Sequence, residues 1–305
     1  MHLNAAHYNI VLLATNGQLG FELAQYLTAV GRVYCLNRAD VDFVNVDVLL
    51  ARIAEFKPDI IVNAAAWTAV DEAETKPHAA YLMNVALPSA LATLAEQCGA
   101  WLVHYSTDYV YSGNGTAAWQ ETDVTSPLSV YGRTKLDGDN AVQQHCDKYL
   151  IFRTSWLYAA RGNNFMRSML KLGMQHESLR VVSDQIGAPT PAKLIAQTTI
   201  SALQQALQHG HKLSGIYHLA TKGETSWYGF AQAIFSLAIQ QGIALKLNLQ
   251  HCYPINTLQY AAAAKRPLNS RLNTTKIEQT FNIQLPSWQS QLALTFVEWQ
   301  QIQGQ

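Results

Sequence analysis

Tyr8-Asn9-Ile10-Val11-Leu12-Leu13-Ala14-Thr15-Asn16-Gly17-Gln18-Leu19-Gly20 is the stretch from which the fold follows. Tyr8 to Ala14 is a short apolar run and reads as a strand buried on both faces. The turn after it has the spacing A-x-x-G-x-x-G, and the run Leu19 to Val30 behind it reads as a helix. Strand, glycine turn and helix in that order bring backbone N–H groups close to a pyrophosphate, and the helix dipole favours its charge. Two glycines would also suit an ordinary tight turn, so the context carries the reading. Gly17, Gln18, Leu19 and Gly20 are the candidate phosphate-loop residues. Ala14 stands where such a loop begins with glycine. That implies either a displaced turn or a first position that tolerates a methyl group.

The alternation continues outward. Val33 to Leu36, Ile60 to Val62, Trp101 to Tyr105 and Tyr149 to Arg153 read as further strands. Helical patterns run from about His78 to Cys98 and from Tyr131 to about His145. Alternating strands and helices predict a doubly wound parallel α/β sheet of the Rossmann, NAD(P)-binding type. After Thr154 the rhythm loosens, with helical stretches near Phe165–Gln175, Lys193–Gln208 and Trp227–Gln241. We expect a cofactor domain over residues 1–158, completed by elements returning from about 181–240. A smaller, interleaved substrate domain would cover 159–305.

The chain has 305 residues, with Lys plus Arg and Asp plus Glu balanced at 21 each. Such neutrality excludes a general electrostatic footprint for nucleic acid or an anionic membrane. An anionic small molecule must then be held by local groups. Cys35, Cys98, Cys146 and Cys252 show no C-x-x-C spacing and read as reduced thiols. MHLNAAHYNIVLLA lacks the form of a signal peptide, and no apolar run reaches membrane-span length. A cytoplasmic protein, monomeric or homodimeric, is expected. His209 and His211 have no Cys or carboxylate nearby, so no metal is read there.

A cofactor site of this type places an acidic residue about 20 residues beyond the loop, on the adenosine ribose, when NAD is preferred. Asn37 and Arg38 occupy that region. A neutral residue removes repulsion against a 2′-phosphate and arginine can pair with it, so NADPH is favoured over NADH. Asp42 and Phe43 are placed beside the adenine. The small side chains Ala64, Ala65 and Ala66, after the third strand, let backbone approach the cofactor.

Tyr131 and Lys135 lie four residues apart on a helix and so share one face. Free tyrosine titrates near ~10 and is a poor acid–base group at neutral pH. A neighbouring ammonium, with an oxidised nicotinamide, would favour phenolate. Y-x-x-x-K alone is common by chance. The segment Ser106-Thr107-Asp108, at the carboxyl end of the fourth strand, sharpens it, because ligands bind at that rim. Thr107 is the preferred partner of the substrate carbonyl and of the tyrosine hydroxyl; Ser106 is the neighbour able to do the same.

In order and spacing these residues resemble the extended short-chain dehydrogenase/reductases. Several strings resemble, within them, the dTDP-4-dehydrorhamnose reductase family. They are NGQLG (Asn16–Gly20), VNAAAWTAVDEAE (Val62–Glu74), HYSTDYVY (His104–Tyr111) and WQETD (Trp119–Asp123). Further along come PLSVYGRTKLDGD (Pro127–Asp139), FRTSWLY (Phe152–Tyr158), GNNF (Gly162–Phe165), DQIGAPT (Asp184–Thr190) and RPLNSRL (Arg266–Leu272). The resemblance implies hydride transfer from NAD(P)H to C4 of a 4-keto sugar nucleotide, in the synthesis of dTDP-rhamnose for cell-surface polysaccharide. It implies that Tyr131 supplies the proton, that Lys135 holds the nicotinamide ribose and lowers the tyrosine pKa, and that Thr107 orients the carbonyl. Trp156 maps to a tryptophan beside the sugar. Asp108, Asn163, Asn164, Gln185, Thr190, Arg266 and Arg271 are the further substrate candidates. Some members dimerise around magnesium held by glutamates. Glu22 matches one of these, but Lys193 stands where another is expected, which argues against a metal here.

Two other readings compete. An epimerase or dehydratase shares the fold and the Tyr–Lys pair, but a dehydratase needs an acid and a base beside the threonine. Here Thr107 is followed by Asp108 and Tyr109. A non-catalytic nucleotide-binding regulatory subunit would not need Thr107, Tyr131 and Lys135 intact.

Overall fold

The computed structural model describes residues 8–303. The reading of MHLNAAHYNIVLLA as free of a leader rests partly on residues 1–7, which lie outside them. In chain order the first half contains β1 (Tyr8–Leu13), α1 (Gln18–Tyr26), β2 (Gly31–Leu36), α2 (Val46–Glu55), β3 (Ile60–Asn63), α3 (Val70–Thr75) and α4 (Pro77–Tyr81). It continues with α5 (Leu87–Cys98), β4 (Trp101–Thr107), α6 (Val130–His145) and β5 (Tyr149–Thr154). The second half holds β6 (Leu157–Tyr158), α7 (Phe165–Gln175), β7 (Leu179–Val182), β8 (Ile186–Gly187), β9 (Thr190–Pro191) and α8 (Ala192–His209). After these come β10 (Gly215–His218), β11 (Thr225–Ser226), α9 (Trp227–Gln240), β12 (Cys252–Ile255), α10 (Thr257–Tyr260), α11 (Thr275–Phe281) and α12 (Trp288–Gln303).

The main sheet is six-stranded, in the order β10-β5-β4-β3-β1-β2, and every pairing in it is parallel. Its two faces follow from the two-residue period of a strand. Ile10 and Leu12 face a cluster built with Leu23 of α1 and Ile195 and Leu203 of α8. Val11 and Leu13 face the other way, against Leu49 of α2 and Leu91 of α5. Both faces are therefore covered, and the expected doubly wound parallel sheet is what the chain forms. The strand order reverses between β1 and β3. Parallel sheets bind ligands outside the carboxyl ends of their strands at such a point.

Helix Phe165–Gln175 has the bounds read from sequence. The long pattern His78–Cys98 differs: a π-helical turn, Leu82–Ala86, separates α4 from α5. Asn84 within it is fully buried and bonds Trp67 through both backbone groups, and Thr134 Oγ1 at 3.1 Å. The wide turn presents that amide sideways to α6, which an unbroken α-helix would not do. The second half adds small two-stranded sheets (β6–β9, β8–β11 and β7–β12). An aromatic-rich cluster of Tyr158, Phe230, Trp288 and Phe296 packs its helices together.

Ala14 itself takes the left-handed conformation, with φ of 63°. Its N–H donates to Leu36 O at 2.8 Å and its carbonyl accepts from Gly17 N at 3.0 Å. Gly20 is required for a different reason: a Cβ there would lie 2.1 Å from Ala14 O. The left-handed region costs an L-residue roughly 1–2 kcal/mol, partly offset by the greater freedom of glycine in the unfolded chain. Ala14→Gly is accordingly expected to stabilise the protein by up to about 1 kcal/mol, raising Tm by about 2 °C. Thermal unfolding measures this, and a lower Tm would contradict the assignment.

Candidate functional site

A cavity of about 700 Å³ opens at the carboxyl ends of β1, β3 and β4. Gly17, Gln18 and Leu19 line it at the start of α1, and Asn37, Arg38 and Phe43 line it beyond β2. Ala64, Ala65 and Ala66 form its wall after β3. Gly20 sits behind the loop, where it permits the close approach described above. No side chain caps the N-terminus of α1, so its first N–H groups are left for a ligand. Asn37 Oδ1 accepts from Thr15 Oγ1 at 2.8 Å and from Asn16 N at 3.1 Å. It thereby ties the loop to the end of β2. Arg38 is exposed at the rim. Asp42 lies outside the lining; its Oδ1 accepts from Val44 N at 3.0 Å. These features fit a dinucleotide: a glycine cradle, an uncapped helix end and an arginine at the far side.

Tyr131 and Lys135 come from α6 into the inner end of the same cavity. Ser129 caps this helix, accepting from Gly132 N at 3.1 Å. Gly132, between the pair, lets α6 press on the segment after β4; a Cβ there would meet Tyr109 O at 2.3 Å. Asp139, two turns along, is fully buried, and its Oδ2 accepts from Ser106 Oγ at 2.9 Å and Arg153 Nε at 3.0 Å. Ser106 also lines the cavity but is held in this bond, whereas Thr107 lies near enough to the Tyr131 hydroxyl to act on its pKa. Thr107 Oγ1 also donates to Asp108 Oδ1 at 3.2 Å.

Burial holds the Tyr131 phenol above its usual pKa, partly countered by Thr107; Asp108 and Asp139 push the same way as burial. Lys135 is not among the groups that shift the Tyr131 phenol in this arrangement. Lys135 Nζ turns toward β4 instead, 2.6 Å from Tyr105 O and 3.2 Å from His104 Nε2. Burial lowers its pKa to about 8, although Asp139 acts in the opposite sense. Asp108 is raised to about 6 by burial, with Ser270 and Thr107 acting in the opposite sense, and its Oδ2 has no hydrogen-bond partner.

The other substrate candidates divide. Asn163 lines the cavity, and its carbonyl accepts from Gln18 Nε2 at 3.2 Å. Asn164 caps α7 and bonds Gln18 Oε1 at 2.8 Å. Trp156 has φ of 49° and stacks on Trp227 at 3.6 Å between centroids. Trp227 Nε1 donates to Gln185 Oε1, and Gln185 Nε2 donates to Thr257, each at 3.1 Å. Thr190 is fully buried, with its hydroxyl on Ala188 O at 3.0 Å. Arg271 makes a two-pronged pair with Glu224 at 2.5 and 3.0 Å. Arg266 pairs with Asp71 at 2.6 Å, and its other terminal nitrogen is buried without a partner. Trp227, His104 and Asn84 were not singled out from the sequence. Trp227 is one of many aromatics on an apolar helix face, and only the fold lays it on Trp156.

The residues do not fit a metal at Glu22. The Lys193 ammonium stands 3.3 Å from Glu298 Oε2 and acts on Glu22 as well, supplying the positive charge itself. Among the described residues no group of three His, Cys, Asp or Glu is placed to hold a metal ion.

The family model described as the RmlD substrate binding domain matches residues 8–301. The dTDP-4-dehydrorhamnose reductase of Escherichia coli (strain K12) is 47% identical over 285 residues, covering 92% of this chain and 94% of that one. The enzyme of the same name from Burkholderia thailandensis is 41% identical, covering 93% and 97%. A crystal structure of the Bacillus anthracis dTDP-4-dehydrorhamnose reductase in complex with NADP superposes with a TM-score of 0.87 at 34% identity, covering 96% of this chain and 99% of that one. Similarity of this depth spans the glycine loop, the Tyr131–Lys135 helix and the second-half sheets alike, and the chain belongs to the dTDP-4-dehydrorhamnose reductase family.

Proposed function

We propose that this protein reduces the C4 ketone of dTDP-4-dehydro-6-deoxy-L-mannose to dTDP-L-rhamnose with NAD(P)H. The observation that carries the reading is the meeting of Tyr131 and Lys135 with the glycine loop on one cavity, with Thr107 acting on the Tyr131 hydroxyl from the end of β4. A nicotinamide dinucleotide held along Gly17–Leu19, Asn37–Arg38 and Ala64–Ala66 supplies the hydride that ends on C4. Tyr131 donates its proton to the carbonyl oxygen, and Thr107 holds that oxygen in line. Tyr131 rests as a phenol, and its phenolate must be stabilised as the proton is given up. Lys135, 2% exposed, brings donors to the ribose side of the cavity.

The sugar nucleotide enters from the second half. Asp108 and Arg266 carry buried polar atoms without partners, and these suit the hydroxyls and the pyrophosphate of the ligand. Trp156, held against Trp227, offers a rigid face to the sugar. Asn163, Asn164, Gln185, Thr190 and Arg271 shape that side, with residues 159–305 as the sugar-nucleotide lobe. Residues 1–158, with elements from about 181–240, form the cofactor lobe. The enzyme belongs in the cytoplasm as a monomer or homodimer. No helix among the described residues is long and apolar enough to cross a membrane.

Tyr131→Phe is expected to lower kcat by about 10²–10⁴ while leaving NADPH affinity unchanged. The first is read from cofactor oxidation with the 4-keto sugar nucleotide, the second from a fluorescence titration; near-full turnover would refute the assignment. Arg38→Ala should weaken NADPH by about tenfold or more and leave NADH nearly unaffected, as for the loss of a charged hydrogen bond. Equal weakening of both cofactors would remove Arg38 from the 2′-phosphate.

A further inference from the structure

We propose that Asn63 and His104 are positioning residues that set the protonation of Lys135, by holding His104 as the Nε2–H tautomer against the lysine amine. The chain of bonds has a direction, and it begins at the cavity wall. Ala65 N donates to Asn63 Oδ1 at 3.1 Å, which fixes the amide orientation. The Nδ2 group of Asn63 then faces His104 Nδ1 at 3.2 Å and donates to it. A ring nitrogen that accepts carries no proton. Burial, with Lys135 beside it, keeps the His104 ring neutral, so its one proton sits on Nε2. That nitrogen lies 3.2 Å from Lys135 Nζ.

Only a neutral amine has a lone pair to receive this N–H; an ammonium would set donor against donor. The bond from Lys135 Nζ to Tyr105 O serves either form. Of the other groups around Lys135, Asp139 on α6 favours the ammonium. Arg153 on β5 is bonded to Asp139 and offsets it. The Tyr105 hydroxyl is tied to Thr199 at 3.0 Å. Tyr131 on α6 remains a phenol, and Asp108 beyond β4 acts on Tyr131. Asp139 Oδ1 is 4.0 Å from His104 Nε2, but a neutral ring makes no ion pair with it.

The lowered pKa of Lys135 agrees with this arrangement. In turnover, and here the inference rests on the reductase reading, Tyr131 becomes phenolate when it protonates the substrate. One proton then leaves the Lys135 ammonium to restore the phenol, and the amine left behind, welcomed by His104 Nε2–H, regains a proton from water.

The test is nitrogen NMR of the full-length protein labelled at its histidine rings, without cofactor or sugar nucleotide. The His104 signals are those lost in His104→Gln. A neutral ring protonated at Nε2 near neutral pH is expected. Asn63→Asp replaces the donor with an acceptor and should move the proton to Nδ1, turning Nε2 into an acceptor for the ammonium. In that variant the alkaline limb of kcat/KM should rise by about one pH unit, a tenfold change in acid dissociation. A wild-type ring protonated at Nδ1, or doubly protonated, would overturn the proposal. So would an alkaline limb unmoved in an Asn63→Asp protein whose ring has switched. The wild-type spectrum decides even if the variant fails to fold. It needs no turnover, so an inactive protein with the predicted tautomer would count against the reductase reading alone.

Discussion

Asp139 and Arg153 are both nearly inaccessible to water, and their 3.0 Å pair joins α6 to β5 inside the protein. Ser106 on β4 adds a bond to the same carboxylate oxygen, and Arg153 continues to the Tyr111 hydroxyl at 2.9 Å. A buried pair of this kind adds little net stability, since both ions were dehydrated to make it, yet removing one partner costs about 3–5 kcal/mol. Its value is positional. Tyr131 and Lys135 are carried by the helix that Asp139 anchors, and Thr107 is carried by the strand that Ser106 belongs to. The distance between Tyr131 and Thr107 is therefore set by a contact that neither residue makes.

The remainder of the site hangs on that placement. Gly132 and Gly138 allow α6 to lie against Tyr109 O and Asn84 O, where a Cβ would meet backbone at 2.3 and 2.0 Å. The π turn supplies Asn84 to receive it. On the opposite side of the cavity the glycine loop is fixed by Asn37 and by the left-handed Ala14. Two rigid walls thus face each other at the point where the strand order reverses.

Much of this was legible in the sequence, because its signals are local. Runs such as YNIVLL and YLIFR are strands by length and apolarity alone, and Tyr131 and Lys135 share a face by helical period. The departures come from long-range contacts. Asn84 bonds Thr134, and Arg266 bonds Asp71 across nearly two hundred residues; no spacing announces either. The π turn is invisible to a 3.6-residue period. The α2 helix, Val46–Glu55, is apolar at seven of its ten residues yet buries only Leu49 and Ile53, so its pattern carries no clear face. The Lys135 environment is set at long range as well. The Tyr–Lys motif suggests an ammonium beside a phenol, but the depth of the helix decides which group each side chain meets, and depth is a property of the whole sheet.

The burial of Tyr131 bears on the form in which the free site waits. A catalyst leaves the equilibrium between ketone and alcohol untouched, but it chooses which protonation state its resting molecules occupy. With the phenol held above its ordinary range, the free site waits with Tyr131 protonated. Oxidation of the alcohol would have to begin from the phenolate, a form that the apolar wall and two nearby carboxylates make scarce. Burial thus decides only the form in which the free enzyme is stored; at any pH the ratio of the two directions stays with the equilibrium.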